Sequence, residues 1–193
     1  MTPALVLAST SPYRAALLRR LTPDFIQAKP EVEELSLPGE TPVELALRLA
    51  EAKARALAAA FPDHLIIGSD QTAACDNDIV GKPGHRAAAV AQLQRFSGRR
   101  IAFHTGVSLF NTRTGIIHRA VNTTTVNFRR LSMAVIERYV DREQPLDCAG
   151  SFKAEGLGIA LFTGIESNDP TSLIGLPLIT LTGFLLDEGL SLP

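Results

Sequence analysis

The sequence predicts a mixed α/β protein, a mixed β-sheet covered by helices. Three observations carry this. Short apolar runs, Leu5–Ala8 and Leu65 onward to Gly68, read as buried strands. Between them stands a well-capped helix with apolar residues at helical spacing. Farther on, Arg100–Phe110 and Gly115–Arg129 alternate over a length suited to two antiparallel strands joined near Asn111–Thr114.

Taken in order, Leu5–Ala8 leads through Ser9, Thr10 and Ser11 into a helix marked by Ala15, Leu17, Leu18 and Leu21. Ser11 is its N-cap, and Pro12 sits at the first helical position, where a missing N–H costs nothing. Such a junction is an ordinary capped helix, and it also collects free N–H groups that favour an anion beside Arg14. Phe25–Ala28 reads as a second strand. Lys29–Glu40, with Pro30, Pro38, Gly39 and the acidic Glu31, Glu33 and Glu34, reads as a loop. Thr41-Pro42-Val43-Glu44 opens a helix with a capping box, expected to run to about Ala60.

In that helix Leu45, Leu49, Lys53 and Leu57 step by four, which places a lysine on or beside the apolar stripe. It either snorkels at the stripe's edge or points into a cleft. The next strand, Leu65 to Thr72, ends in Asp70-Gln71. If it lies parallel to Leu5–Ala8, Asp70 and Ser9 share one crevice beyond the strand ends. Asp76-Asn77-Asp78 marks a hairpin turn. Lys82, between Gly81 and Pro83, precedes a helix from about His85 to Phe96. Ser132 caps a helix to about Arg142. A glycine-rich turn, Ala149–Gly158, precedes an expected strand Ile159–Phe162, and Asp169–Leu178 leads into a last helix ending near Gly189.

The totals narrow the field. The 193 residues suit one domain, residues 1–193, built around a good core, with 46% hydrophobic and 20% charged residues. A net charge of −1 speaks against a nucleic-acid polymer as partner. No charged leader precedes the first strand, and the apolar run Leu173–Leu186 is broken by Gly175, Pro177 and Gly183, so no membrane partner is expected. Two cysteines, Cys75 and Cys148, supply no disulfide framework, and a cytoplasmic location is expected. There is no G-x-x-x-x-G-K-[ST] phosphate loop.

The pieces Leu7-Ala-Ser-x-Ser-Pro-x-Arg14, Glu33 in the acidic loop, Ala52-Lys53-Ala54, Gly68-Ser-Asp70-Gln71 and Gly81-Lys82-Pro83 occur in that order. Gly150-Ser151-Phe-Lys153-x-Glu155-Gly156-x-Gly158 and Gly175-Leu-Pro177-Leu178 follow. Together they resemble the Maf-type nucleoside triphosphate pyrophosphatases along the whole chain. The resemblance implies an elongated mixed sheet flanked by helices, with two lobes around a central cleft as in Maf and ITPase folds. It further implies hydrolysis of a small-molecule nucleoside triphosphate to the monophosphate and pyrophosphate, a divalent metal (Mg²⁺ or Mn²⁺), and, by analogy, a homodimer.

Residue chemistry accords with those implications. Phosphoanhydride hydrolysis needs cations on the phosphates, carboxylates for a metal and an oriented water. Ser9, Arg14, Lys53 and Lys82 are the expected phosphate contacts, Glu33 and Asp70 the expected metal ligands, and Asp70 the expected water-activating base. At three positions that resemble the family's base-reading residues stand Tyr13, Gln71 and Glu155. An aromatic, Gln and Glu resemble the branch acting on 7-methyl-GTP, whose methylated guanine is cationic and gains from an aromatic face and a carboxylate. Tyr13 stands where that branch leads one to expect Trp. A pyrophosphatase for dTTP, UTP or CTP, or a nucleotide-binding regulator of septum formation with little turnover, are the alternatives.

Overall fold

The computed structural model describes residues 4–76 and 78–192. Its strands are β1 (Ala4–Ala8), β2 (Phe25–Ala28), β3 (His64–Cys75), β4 (Asp78–Val80), β5 (Arg100–Asn111), β6 (Ile117–Phe128) and β7 (Phe162–Glu166). The helices are α1 (Pro12–Leu18), α2 (Pro42–Ala56), α3 (Arg86–Phe96), α4 (Met133–Glu143) and α5 (Leu178–Asp187). The strands form one sheet in the order β2-β1-β3-β5-β6-β7, with β4 pairing β3 off that path. β1 runs parallel to β2 and β3, while the remaining pairs are antiparallel. The mixed sheet flanked by helices is therefore as expected.

The central strand creates the cleft. β5 accompanies β3 from Leu65 to Ala74. On the other edge, β1 accompanies β3 only from His64 to Gly68, and β4 only from Ala73 to Cys75. Ser69, Asp70, Gln71 and Thr72 thus face a gap between two short neighbours. The core divides at the same place. One cluster joins Leu5, Leu7, Leu65, Ile67 and Val107 to Leu17, Leu18, Leu181 and Leu185 of α1 and α5. Another joins Ala73, Cys75, Ile101 and Phe103 to Leu93, Phe96, Ile136 and Val140 of α3 and α4. β3 and β5 pass through both, and the two lobes meet across the break.

α2 lies across this spine because two glycines let it. A Cβ on Gly68 would stand 2.1 Å from the Ala50 carbonyl oxygen, and one on Gly106 would stand 2.2 Å from that of Ala46. The close approach brings the buried face of α2, including Lys53, onto β3. The expected capping box is present, with Thr41 Oγ1 accepting from Glu44 N and the Glu44 carboxylate accepting from Thr41 N.

Several boundaries differ from expectation. α1 ends at Leu18 and α2 at Ala56, each followed by turns closed by i→i−3 bonds such as Leu21 N to Leu18 O and Ala60 N to Leu57 O. The expected strand Ile159–Phe162 is instead a 3-10 turn, Leu157–Leu161, and the strand starts at Phe162. The Gly158 N–H donates to Lys153 O at 3.0 Å, coiling the chain so that Ile159 faces solvent while Leu161 and Phe162 are buried. β3 and β4 pair at Cys75 and Asp78 as the expected hairpin requires, although Asn77, like the leading residues 1–3, lies outside the described residues. Among the described residues no helix is long and apolar enough to cross a membrane.

Candidate active site

A groove of about 830 Å³ opens at the gap beside β3. Ser9, Tyr13, Arg14, Lys53, Asp70, Gln71, Lys82 and Glu155 all line it. Residues from the first and last quarters of the chain therefore meet. Glu33 does not. It is exposed and absent from the wall, whereas its neighbour Glu34 lines the groove and pairs with Lys53. Lys29, Pro30, Glu31 and Val32 line the groove with Glu34, and Glu33 alone among residues 29–34 is turned out of the wall. An acidic cluster in sequence carries no information about which member turns inward.

The charges are dense around Lys53. Lys53, a buried lysine, donates to Asp70 Oδ1 at 2.6 Å and to Glu34 Oε1 at 2.5 Å. Burial works to raise the Glu34 carboxyl. The hydrogen bond and charge of Lys53, with the charges of Lys82 and Arg14, outweigh it and hold the group below its ordinary value. Lys53 alone touches the carboxylate, while Lys82 and Arg14, which also line the groove, act on it through their charge. Burial lowers the Arg14 pKa, against the opposing pull of Asp70 and Glu34.

The β1–α1 junction behaves as the capping pattern dictates. Ser11 Oγ accepts from Arg14 N at 3.3 Å, and Ser9 Oγ accepts from Ser11 N at 3.1 Å while keeping its own proton to donate. Gln27 of β2 fastens the turn by donating Nε2 to Ser9 O at 2.9 Å.

The segment Asp169–Leu178 has a role that local pattern did not reveal. The buried Asp169 carboxylate accepts from Thr171 N and Oγ1 and from Ile179 N, capping α5 and tying the loop to it. This loop then orients the groove. Gly175 O accepts from Arg14 Nε at 2.9 Å and lies 2.9 Å from Ser69 Oγ, leaving the outer guanidinium nitrogens of Arg14 for a ligand. Gln71 Nε2 donates to Ser172 O and Leu173 O at 2.9 and 3.1 Å. Since both partners can only accept, its amide oxygen is the atom left for the groove. The Gly175-Leu-Pro177-Leu178 run was the available signal, and its positive-φ glycine (φ 119°) is what the turn needs.

Tyr13, Cys148, Ala149, Phe152 and Leu173 also line the groove, together with Asp147 and Glu155. Burial raises the Tyr13 hydroxyl above its ordinary value; Lys153 opposes this, while Cys148, Asp147 and Glu155 add to it. Burial likewise pushes the Cys148 thiol up to about 12, reinforced by Asp147. Lys53 thus joins Asp70 and Glu34 within the groove, while Tyr13 feels the charges of Lys153, Asp147 and Glu155. Glu155 is carried on a turn fixed to α4, where Tyr139 Oη accepts from Lys153 N at 3.0 Å and Glu143 Oε2 from Leu157 N at 2.9 Å.

An α/β protein with a groove at a break in its sheet, lined by Arg14, Lys53 and Lys82 together with Glu34 and Asp70, has the form of a site for a charged small ligand. The chain belongs to the Maf-like protein family, whose pattern residues 4–188 match. It is 53% identical over 192 residues to a protein of Alcanivorax borkumensis named 7-methyl-GTP pyrophosphatase, covering 100% of this chain and 98% of the other. A protein of Xanthomonas campestris with the same name is 54% identical over 193 residues, the full length of both. Among solved structures, the Staphylococcus aureus Ham1 protein matches over 95% of this chain and 98% of its own, at 15% identity and a TM-score of 0.49.

Proposed function

We propose that this protein is a nucleoside triphosphate pyrophosphatase that hydrolyses 7-methyl-GTP to 7-methyl-GMP and pyrophosphate. The observation that carries the reading is one shared groove: Lys53 joins Asp70 and Glu34 in it, and Arg14, Lys82, Tyr13 and Glu155 line it with them. Full-length identity of 53–54% to proteins named for that activity supports the same substrate.

In this reading the outer nitrogens of Arg14, the ammonium of Lys82 and the Ser9 hydroxyl bind polyphosphate oxygens. Lys53 exchanges a carboxylate for a phosphate. Asp70 accepts a proton of the attacking water, whose oxygen bonds to the α phosphorus as the anhydride bond to the β phosphate breaks, and pyrophosphate leaves with the electron pair of that bond. The charged tail neutralised by fixed cations supplies most of the rate gain.

A divalent cation fits the donor set. Glu34 and Asp70 present hard oxygens that already converge on a cation, the Lys53 ammonium. Among the described residues no group of three His, Cys, Asp or Glu side chains is arranged to hold a metal. Two carboxylates plus phosphate oxygens and water are what Mg²⁺ or Mn²⁺ accepts. When bound, such an ion would neutralise charge on the triphosphate.

For the base, Tyr13 offers a face to the cationic 7-methylguanine and Glu155 a countercharge. A cation over an aromatic ring is worth about 1–2 kcal/mol, roughly five- to thirtyfold in preference over the neutral guanine. We assign the activity to the cytoplasm, a reading supported by two cysteines that remain free thiols. The deciding experiment is a panel of 7-methyl-GTP, GTP, dTTP, UTP and CTP at equal concentration with Mg²⁺ or Mn²⁺, assayed for pyrophosphate. Preferred cleavage of 7-methyl-GTP is expected. A pyrimidine preference overturns the base assignment, and micromolar nucleotide binding without product overturns the enzyme.

A further inference from the structure

The acidic loop that brings Glu34 to the groove, residues 29–40, contains no helix or strand, and its apolar residues Leu35 and Leu37 are 67% and 55% exposed. Apolar burial does not hold it. Beneath it lies a hollow of about 680 Å³ between Leu37–Glu40 and the outer face of α2. What attaches the loop is a pair of cations on α2. One is Lys53, through Glu34. The other is Arg48, whose Nε and Nη2 grip both oxygens of Glu40 at 2.5 and 2.8 Å, and whose Nη2 also donates to Leu35 O at 2.9 Å.

These two attachments differ in permanence. The Lys53 ammonium is shared between Glu34 and Asp70, and in the triphosphate reading it is drawn to a phosphate. Arg48 lines the hollow under the loop and is absent from the groove wall. Its carboxylate partner is shielded, with the Glu40 side chain 7% exposed, and the same carboxylate accepts from Leu37 N at 2.9 Å to close the turn. The hydrogen bond from Arg48 holds the Glu40 carboxyl below its ordinary value, although burial opposes it. Leu35 is the residue next to Glu34, so the clamp fixes the backbone one peptide away from the working carboxylate.

We propose that Arg48 is a positioning residue that keeps Glu34 at the groove once Lys53 has turned to the substrate. The inference rests on the triphosphatase reading for its effect on rate, while the tether itself is independent of it. Bidentate geometry matters here, because a lysine can hold Glu40 but cannot also reach Leu35 O in the same plane.

The test compares Arg48→Met, Arg48→Lys, Glu40→Ala and Arg55→Met. Arg55 lines the same hollow and pairs with Glu51 at 2.8 Å, without a hydrogen bond to the loop. For Arg48→Met, kcat for 7-methyl-GTP is expected to fall about tenfold with KM within about twofold, because the phosphate-binding cations remain in place. Arg48→Lys should recover part of the loss. Cleavage by a glutamate-specific protease within residues 31–40 of the unliganded protein should accelerate about tenfold in Arg48→Met and not in Arg55→Met. Glu40→Ala breaks the clamp from the loop side and should repeat both effects, which covers the case in which Arg48→Met fails to fold. Wild-type kcat and wild-type nicking in Arg48→Met or Glu40→Ala overturn the proposal, as does an equal effect of Arg55→Met. If the wild type releases no pyrophosphate from any triphosphate, the functional reading fails, and the nicking rates alone decide the tether.

Discussion

The Lys53 ammonium stands 2.6 Å from Asp70 Oδ1 while also contacting Glu34, so one cation serves two carboxylates from separate parts of the chain. Asp70 lies on the strand that α2 crosses, and the glycines at 68 and 106 allow that crossing. A lysine on the apolar stripe is thereby buried with partners that make its burial tolerable.

Exchanging either partner should separate catalysis from stability. Asp70→Asn keeps the shape and leaves Lys53 paired to Glu34, so pyrophosphate release should fall about 10²–10³-fold with little change in the urea midpoint. Lys53→Met strands two neighbouring carboxylates, one of them buried, and should lose activity together with about 3 kcal/mol of stability by urea unfolding. Full turnover in Asp70→Asn would remove that residue from the mechanism.

The packing of α2 on the sheet gives a steric prediction. In Gly68→Ala the new methyl would meet backbone at 2.1 Å, which α2 can relieve only by moving as a body. A loss of about 2–3 kcal/mol is expected in denaturant melts, with reduced kcat because Lys53 moves with the helix. Gly183→Ala on α5 has nothing within 4 Å of its Cβ and should instead stabilise by about 0.5–1 kcal/mol.

Glu34 predicts a pH effect of definite sign. Its carboxyl is depressed in the folded protein, so its contribution is present above the unfolded value of 4.5 and is lost as pH falls through the folded value. Thermal melts of wild type and Glu34→Gln should therefore differ most at neutral pH and converge as the pH falls below 4.5.

Cys148 lines the groove yet should be inert. With its thiol pushed up to about 12, the thiolate is scarce at pH 8. Iodoacetamide should label it on the order of 100-fold more slowly than free cysteine, as read by peptide mass spectrometry. For stability, a thiol raised in the folded state contributes below its unfolded value of 9.0 and loses that contribution as pH rises toward about 12.

Much of this protein is legible in local pattern. Ser11, Thr41 and Pro42 announce helix starts because capping is decided within a few residues. The strands of the sheet's centre follow from apolar runs and alternation, and the family resemblance points to the residues lining the groove. The errors share a cause. Glu33 was expected at the site where Glu34 stands, because an irregular loop has no period from which to read direction. Ile159–Phe162 reads as a strand by composition, but a long turn claims its first residues. Asp169, to which local pattern gave no role, is the buried anchor of the segment that aims Arg14 and Gln71.

Sequence by itself determined most of the elements, the caps of α1 and α2 and the stock of charged groups, since these depend on neighbours within a turn or two of chain. Only the tertiary structure decided that β1 and β4 stop short of one another along β3, opening the groove, and that Glu31 and Glu34 line it while Glu33 does not. It alone decided that Arg48 secures the loop. Those outcomes depend on contacts between segments far apart in the chain, and close packing gives each such contact one geometry that no local spacing encodes.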